Sequence, residues 1–114
     1  MASYTTVVDW KDVEDGYVAD VTIRQTDAEM YPSGWDYGLH VGKISGDTIL
    51  RYDNAHERTK GHERHTEDDV EYIEFPGMLT LYDRFKREAE ELSPVSWDWP
   101  ESGAARRETA CQCS

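Results

Sequence analysis

Residues Met78–Leu92 constrain this chain most. Met78, Leu81, Tyr82, Phe85, Ala89 and Leu92 recur at i, i+3, i+4 and i+7. That spacing winds the apolar side chains onto one stripe of an α-helix. Asp83, Arg84, Lys86, Arg87, Glu88, Glu90 and Glu91 take the other side, and Ser93-Pro94 stops the run. A single amphipathic helix has to lay its stripe on a second layer.

The rest of the chain supplies that layer as strands. Residues 17–25 alternate: Tyr17, Ala19, Val21 and Ile23 share one face, and Val18, Asp20, Thr22 and Arg24 share the other. This period is that of a half-buried strand. Residues 1–16 carry Val7, Val8, Trp10 and Val13 between acids, a weak strand ending at Asp15-Gly16. Residues 26–34 hold the loop signal Tyr31-Pro32-Ser33-Gly34. Residues 35–44 and 48–53 read as a β-hairpin, and two registers compete. A two-residue Gly46-Asp47 loop pairs Val41 with Tyr52 and Lys43 with Leu50, whereas a three-residue loop pairs Val41 with Arg51. The first keeps Leu39, Val41, Leu50 and Tyr52 on one face and puts glycine where a type II′ turn prefers it. It is the expected register, and it sets His40 opposite Asp53 on the non-core face. Residues 54–69 read as a polar loop and 70–75 as a short strand cut off by Pro76-Gly77.

The expectation is an α+β fold: one domain over residues 1–92, an antiparallel sheet of about four strands packed against one C-terminal α-helix. A flexible tail over residues 93–114 follows, with Trp97 and Trp99 able to pin its first part. At 114 residues a single core suffices. There is neither an apolar run of roughly 20 residues nor a basic-then-apolar leader, so a cytoplasmic protein without membrane association is expected. Cys111 and Cys113 form a C-x-C near the end. One intervening residue makes a disulfide awkward, and two ligands do not close a zinc site, so a reduced pair is expected.

Charge bears on function. Acids outnumber bases 24 to 12, for a net charge of −12, and lysine is scarcer than arginine, four against eight. The balance resembles that of proteins from salt-accumulating archaea, whose acidic surfaces repel themselves at low salt and are screened in brine. Against that background residues 51–65, RYDNAHERTKGHERH, stand out. They hold three of the four histidines, His56, His62 and His65. Arg51, Arg58, Lys60 and Arg64 outweigh Asp53, Glu57 and Glu63, leaving this island at +1 and the other residues at −13.

The same island carries a family likeness. Arg51, Tyr52, Asp53, Asn54, Ala55 and His56, then His62-x-x-His65, then a strand and a C-terminal helix, resemble the TumE family of small toxins from two-gene toxin–antitoxin modules. The likeness covers roughly residues 17–92; Glu57 stands where members of that family often carry an aromatic residue or histidine. The resemblance implies a toxin whose antitoxin partner carries a DNA-binding helix-turn-helix. It implies no particular reaction.

The residues themselves suggest several chemistries. Metal-independent RNA cleavage needs a base for the 2′-hydroxyl, an acid for the 5′-oxygen and a cation for the phosphorane. Histidine suits both proton roles and arginine the third. On this reading Arg51 is the clamp, Asp53 orients a histidine, and His56, His62 and His65 divide the proton roles from a loop able to close over RNA, with His40 beside them. No cofactor is needed. In a second reading Asp53, His56, His62 and His65 ligate a metal. In a third the groups are structural or solvated. A fourth makes the protein an interaction module that docks through a sheet edge.

Overall fold

The computed structural model describes residues 2–101. Its elements are β1 (Tyr4–Glu14), β2 (Tyr17–Thr26), β3 (Trp35–Lys43), β4 (Thr48–Asp53), α1 (Glu57–Lys60), β5 (His62–Thr66), β6 (Val70–Ile73) and α2 (Met78–Leu92). The strands form one six-stranded antiparallel sheet in chain order, β1-β2-β3-β4-β5-β6. The α+β class and the terminal helix match expectation; the strand count is six rather than four.

The count grows where the pattern is weakest: the weak strand expected over residues 1–16 is a full one, and β5 lies in the expected loop. Residues 4–14 pair with β2 along their length, interrupted by one irregularity between Thr6 and Val8. The hairpin closes on Asp15 and Gly16, both at positive φ (50° and 83°), as a tight two-residue connection of twisted strands requires. Within the expected polar loop at residues 54–69, α1 makes a single turn and β5 joins the sheet against β4.

The hairpin register differs from expectation by two residues. Leu39 pairs with Tyr52, Val41 with Leu50 and His40 with Arg51, while Asp53 faces Gly38. The connection is longer than two residues. Gly46 N–H closes a turn on Lys43 O at 2.9 Å, Lys43 N–H bonds Asp47 O at 2.8 Å, and the strand bulges between Val41 and Gly42. A slip of two conserves faces, because side chains alternate with period two. Leu39, Val41, Leu50 and Tyr52 therefore all remain in the core.

Helix α2 lies on the face built by Ala19, Val21, Ile23, Tyr37, Leu39, Val41, Leu50 and Tyr52, and contributes Leu81, Tyr82, Phe85 and Ala89 to the same core. The chain after α2 folds back over it. Val95 and Trp97 are buried, and Trp99 packs 5.4 Å from the Trp10 ring and 5.5 Å from Phe85. The Tyr82 hydroxyl donates to the Pro100 carbonyl. Cys111 and Cys113 lie outside the described residues. No helix among the described residues is long and apolar enough to cross a membrane.

Candidate functional site on the open sheet face

Since α2 covers one face, the alternate side chains of every strand point to the other. Strand pairing arranges them in rows. One row runs Lys11, Asp20, His40, Arg51, His65, Val70 across β1 to β6. The next runs Asp9, Thr22, Gly38, Asp53, Glu63, Tyr72. Two imidazoles thus flank one guanidinium on three adjacent strands. With neighbouring strands about 4.8 Å apart, the His40 and His65 backbones lie about 10 Å from each other.

The second row ties the first together. Asp53, with a side chain only 10% exposed, lies 3.2 Å from Arg51 Nε and 3.4 Å from His65 Nε2 through its Oδ2. Its Oδ1 accepts Ala55 N–H at 3.2 Å, which holds the carboxylate against the strand end. Glu63 Oε1 takes His65 Nε2 at 3.0 Å. Arg51 itself is half exposed, so its guanidinium is sterically available to a ligand. His40 is more enclosed. Burial, then the Arg51 charge, pull its pKa below the ordinary 6.5; Asp20 opposes them and Lys11 adds to them. A neutral imidazole at physiological pH follows. Thr48 Oγ1 lies 3.4 Å from His40 Nε2, and a cleft of about 220 Å³ is lined by Asp20, Thr22, Gly38, His40 and Arg51.

His62 goes elsewhere. It is three residues from His65 on the same strand, so its ring points to the opposite face. There it is buried, stacks on Phe75 at 4.5 Å, and shares a 2.7 Å hydrogen bond with the Tyr37 hydroxyl through Nδ1. Its Nε2 faces Glu57 Oε1 at 3.6 Å. Burial lowers the His62 pKa, and Glu57 opposes that shift. Burial, followed by the charges of Asp53 and Glu57, pushes the Tyr37 phenol up.

Glu57 and Asn54 complete this buried polar knot. Asn54 Oδ1 accepts Tyr37 N–H at 3.0 Å, and its Nδ2 donates to Trp35 O at 2.6 Å and Glu57 Oε1 at 2.7 Å. Glu57 also accepts Ser33 N–H at 2.7 Å and the Ser33 hydroxyl at 2.6 Å. Each buried group has partners, the condition for such a knot to hold a loop in place. His56 is exposed at the start of α1, beside Met30 and Arg58 rather than the open-face rows.

Of the sequence-derived candidates, then, His40, Arg51, Asp53 and His65 come together, and His56 and His62 stand apart from them. Glu63, Asp20, Thr22 and Gly38 join the patch without having been singled out. Alternation through residues 62–66 is the signal that finds Glu63 and separates His62 from His65. For a metal ion, the oxygen and nitrogen ligand atoms of Asp53, Glu63 and His65 lie within 4.8 Å of one another. Two carboxylates and one imidazole suit a borderline or hard divalent cation, against which the adjacent Arg51 charge works.

Comparison with known proteins bears on the class. A family model described as Toxin TumE matches residues 4–93, which include both rows of the open face. No curated protein and no solved structure was found to match.

Proposed function

The chain belongs to the TumE toxin family, and from that premise we propose a toxin of a toxin–antitoxin module that cleaves RNA by metal-independent histidine acid–base catalysis. The supporting observation is the row His40–Arg51–His65, two imidazoles on either side of a guanidinium on the sheet face opposite α2. Arg51 binds the scissile phosphate and stabilises the phosphorane charge. His40, neutral at physiological pH, accepts the 2′-hydroxyl proton as the 2′-oxygen bonds to phosphorus. His65 protonates the 5′-oxygen as its bond to phosphorus breaks. Asp53 and Glu63 orient His65 through Nε2, leaving the other ring nitrogen for the proton transfer. The partner is the cognate antitoxin, and a small helix-turn-helix protein fits that role.

The test is expression under a tight promoter with and without the neighbouring reading frame. Growth arrest and RNA decay are expected for the wild type, lost in His40→Ala, Arg51→Ala and His65→Ala. Purified protein should cleave RNA in the presence of chelator. Arrest with intact RNA that survives all three substitutions would sink the ribonuclease reading and favour docking to a partner. A second reading rests on the Asp53, Glu63 and His65 cluster as a divalent-metal site. Cleavage abolished by chelator and restored by one metal would select it.

A further inference from the structure

Gly38 sits in the middle of β3, between two buried core residues, Tyr37 and Leu39. Glycine weakens a strand interior and commonly marks a place where a ligand comes close to the backbone. No demand of the fold explains it here. A Cβ at Gly38 would meet nothing within 4 Å, and its φ is not among the positive values. What the missing side chain does leave is the floor of the cleft between Asp20 and Thr22 on one side and His40 and Arg51 on the other. At about 220 Å³ the cleft is smaller than the roughly 300 Å³ at which drug-sized pockets begin. It takes one planar ring system lying on bare peptide, with Arg51 at the rim for an attached phosphate.

The lining selects which ring. Asp20 takes part in none of the ion pairs among the described residues. An ionised carboxylate only accepts hydrogen bonds. In a site that must also receive a phosphate it is an electrostatic cost, unless it meets donors. Of the four RNA bases only guanine presents two adjacent N–H donors, N1–H and the N2 amino group, on its pairing edge. A carboxylate takes both at once. Adenine, cytosine and uracil each set an acceptor against at least one of its oxygens.

We propose that the cleft over Gly38 is a guanine-binding subsite, with Asp20 reading the N1–H and N2 amino edge and Thr22 closing the side. This deepens the RNA-cleavage reading and rests on it. It makes the substrate class single-stranded RNA, because the pairing edge of a base is free only outside a duplex. The phosphate 3′ to the bound guanosine then lies at Arg51, between His40 and His65.

The test does not require turnover. The full chain is titrated with the 3′-monophosphates of guanosine, inosine, adenosine, cytidine and uridine, with binding followed by calorimetry. Guanosine 3′-monophosphate is expected to bind about tenfold or more tighter than the adenosine, cytidine and uridine compounds, the range a good bidentate pair gives, with inosine between because it lacks the amino group. Asp20→Asn should bring guanosine down to the level of adenosine. Gly38→Val should abolish binding of all five while leaving the thermal midpoint unchanged or raised, since its side chain enters open space. Equal affinities in the wild type, or a guanosine preference that survives Asp20→Asn, would overturn the subsite. So would no binding of any of the five. Cleavage of a single-stranded RNA without base preference would overturn the subsite alone and leave the ribonuclease reading standing. Guanosine binding without cleavage of any RNA would do the reverse.

Discussion

His40 and Gly42 make the residue-scale case. Gly42 is buried, and a Cβ there would stand 2.7 Å from the Asp47 carbonyl oxygen and 3.0 Å from His40 Nε2. The absent side chain is therefore what lets the imidazole lie where it does. Gly42→Ala should displace the ring and cost about 1–3 kcal/mol of stability. It should also lower RNA-cleavage kcat by up to about a hundredfold with little change in KM, since a misplaced catalytic group loses rate before binding. Unaltered kcat in Gly42→Ala would remove His40 from the reaction. The pH profile is a second readout. As the proposed base, His40 must be neutral, and its depressed pKa puts the acidic limb of kcat/KM below 6.5. Asp20 is the group that raises that pKa, so Asp20→Asn should move the limb to still lower pH. A limb at or above 6.5 would assign the base elsewhere. His56→Ala, at an exposed position beside Met30 and Arg58 and outside the row, should leave the activity intact.

Strand β5 decides at the element scale whether the histidines cooperate, and it is the element the sequence hides best. HERHT contains no aliphatic or aromatic carbon residue, so hydrophobic periodicity has nothing to count. Its inward positions are filled by His62, Arg64 and Thr66, polar residues of which His62 is buried against the Phe75 ring and Arg64 reaches the helix by polar contacts. Arg64 does so through Tyr52 Oη at 3.1 Å and Glu88 Oε2 at 3.2 Å, a bridge from sheet to helix. By contrast α2, β2 and the faces of the β3–β4 hairpin are legible because aliphatic or aromatic side chains hold their core positions, with only Leu92 of the helix stripe left exposed. The hairpin register was not, because faces survive a two-residue slip and only the turn's hydrogen bonds distinguish the alternatives. The polar bridge makes its own prediction. Burial and then Glu88 push the Tyr52 phenol up to about 12, so it remains a donor to Glu88 throughout the physiological range. Tyr52→Phe should cost about 2 kcal/mol in chemical denaturation, the value of a hydrogen bond to a charged acceptor. A loss below about 0.5 kcal/mol would mean that Arg64 and Glu88 hold the helix unaided. His62 gives the pH counterpart. Its folded pKa is depressed, so the unfolded chain takes up protons first as pH falls below 6.5. Stability should be full above 6.5 and decline through that window, and His62→Gln should shrink the decline without removing it, because His40 shifts in the same direction.

For the whole molecule, charge sets how this surface meets a polyanion. A net charge of −12 on 114 residues works against long-range attraction of RNA. Within the open-face rows Lys11 and Arg51 stand among Asp9, Asp20, Asp53 and Glu63, so no continuous basic track exists there to follow a backbone. On the proposed RNA-cleavage reading, recognition then comes from short-range fit at one base and one or two phosphates. Counterion release measures this. Single-stranded RNA binding loses about 0.7 in the logarithm of the affinity per decade of salt for each phosphate neutralised. One or two contacts give a slope of about −0.7 to −1.4. The fold responds to salt in the opposite sense, because screening relieves the repulsion among the acids and the thermal midpoint should rise. Titrating affinity and thermal midpoint together from low to molar salt should therefore show binding weakening by about 5- to 25-fold per decade of salt as stability climbs. A binding slope of about −3 or steeper would mean that four or more phosphates are engaged, more than this face has cations for, and RNA would have to be bound by another part of the chain.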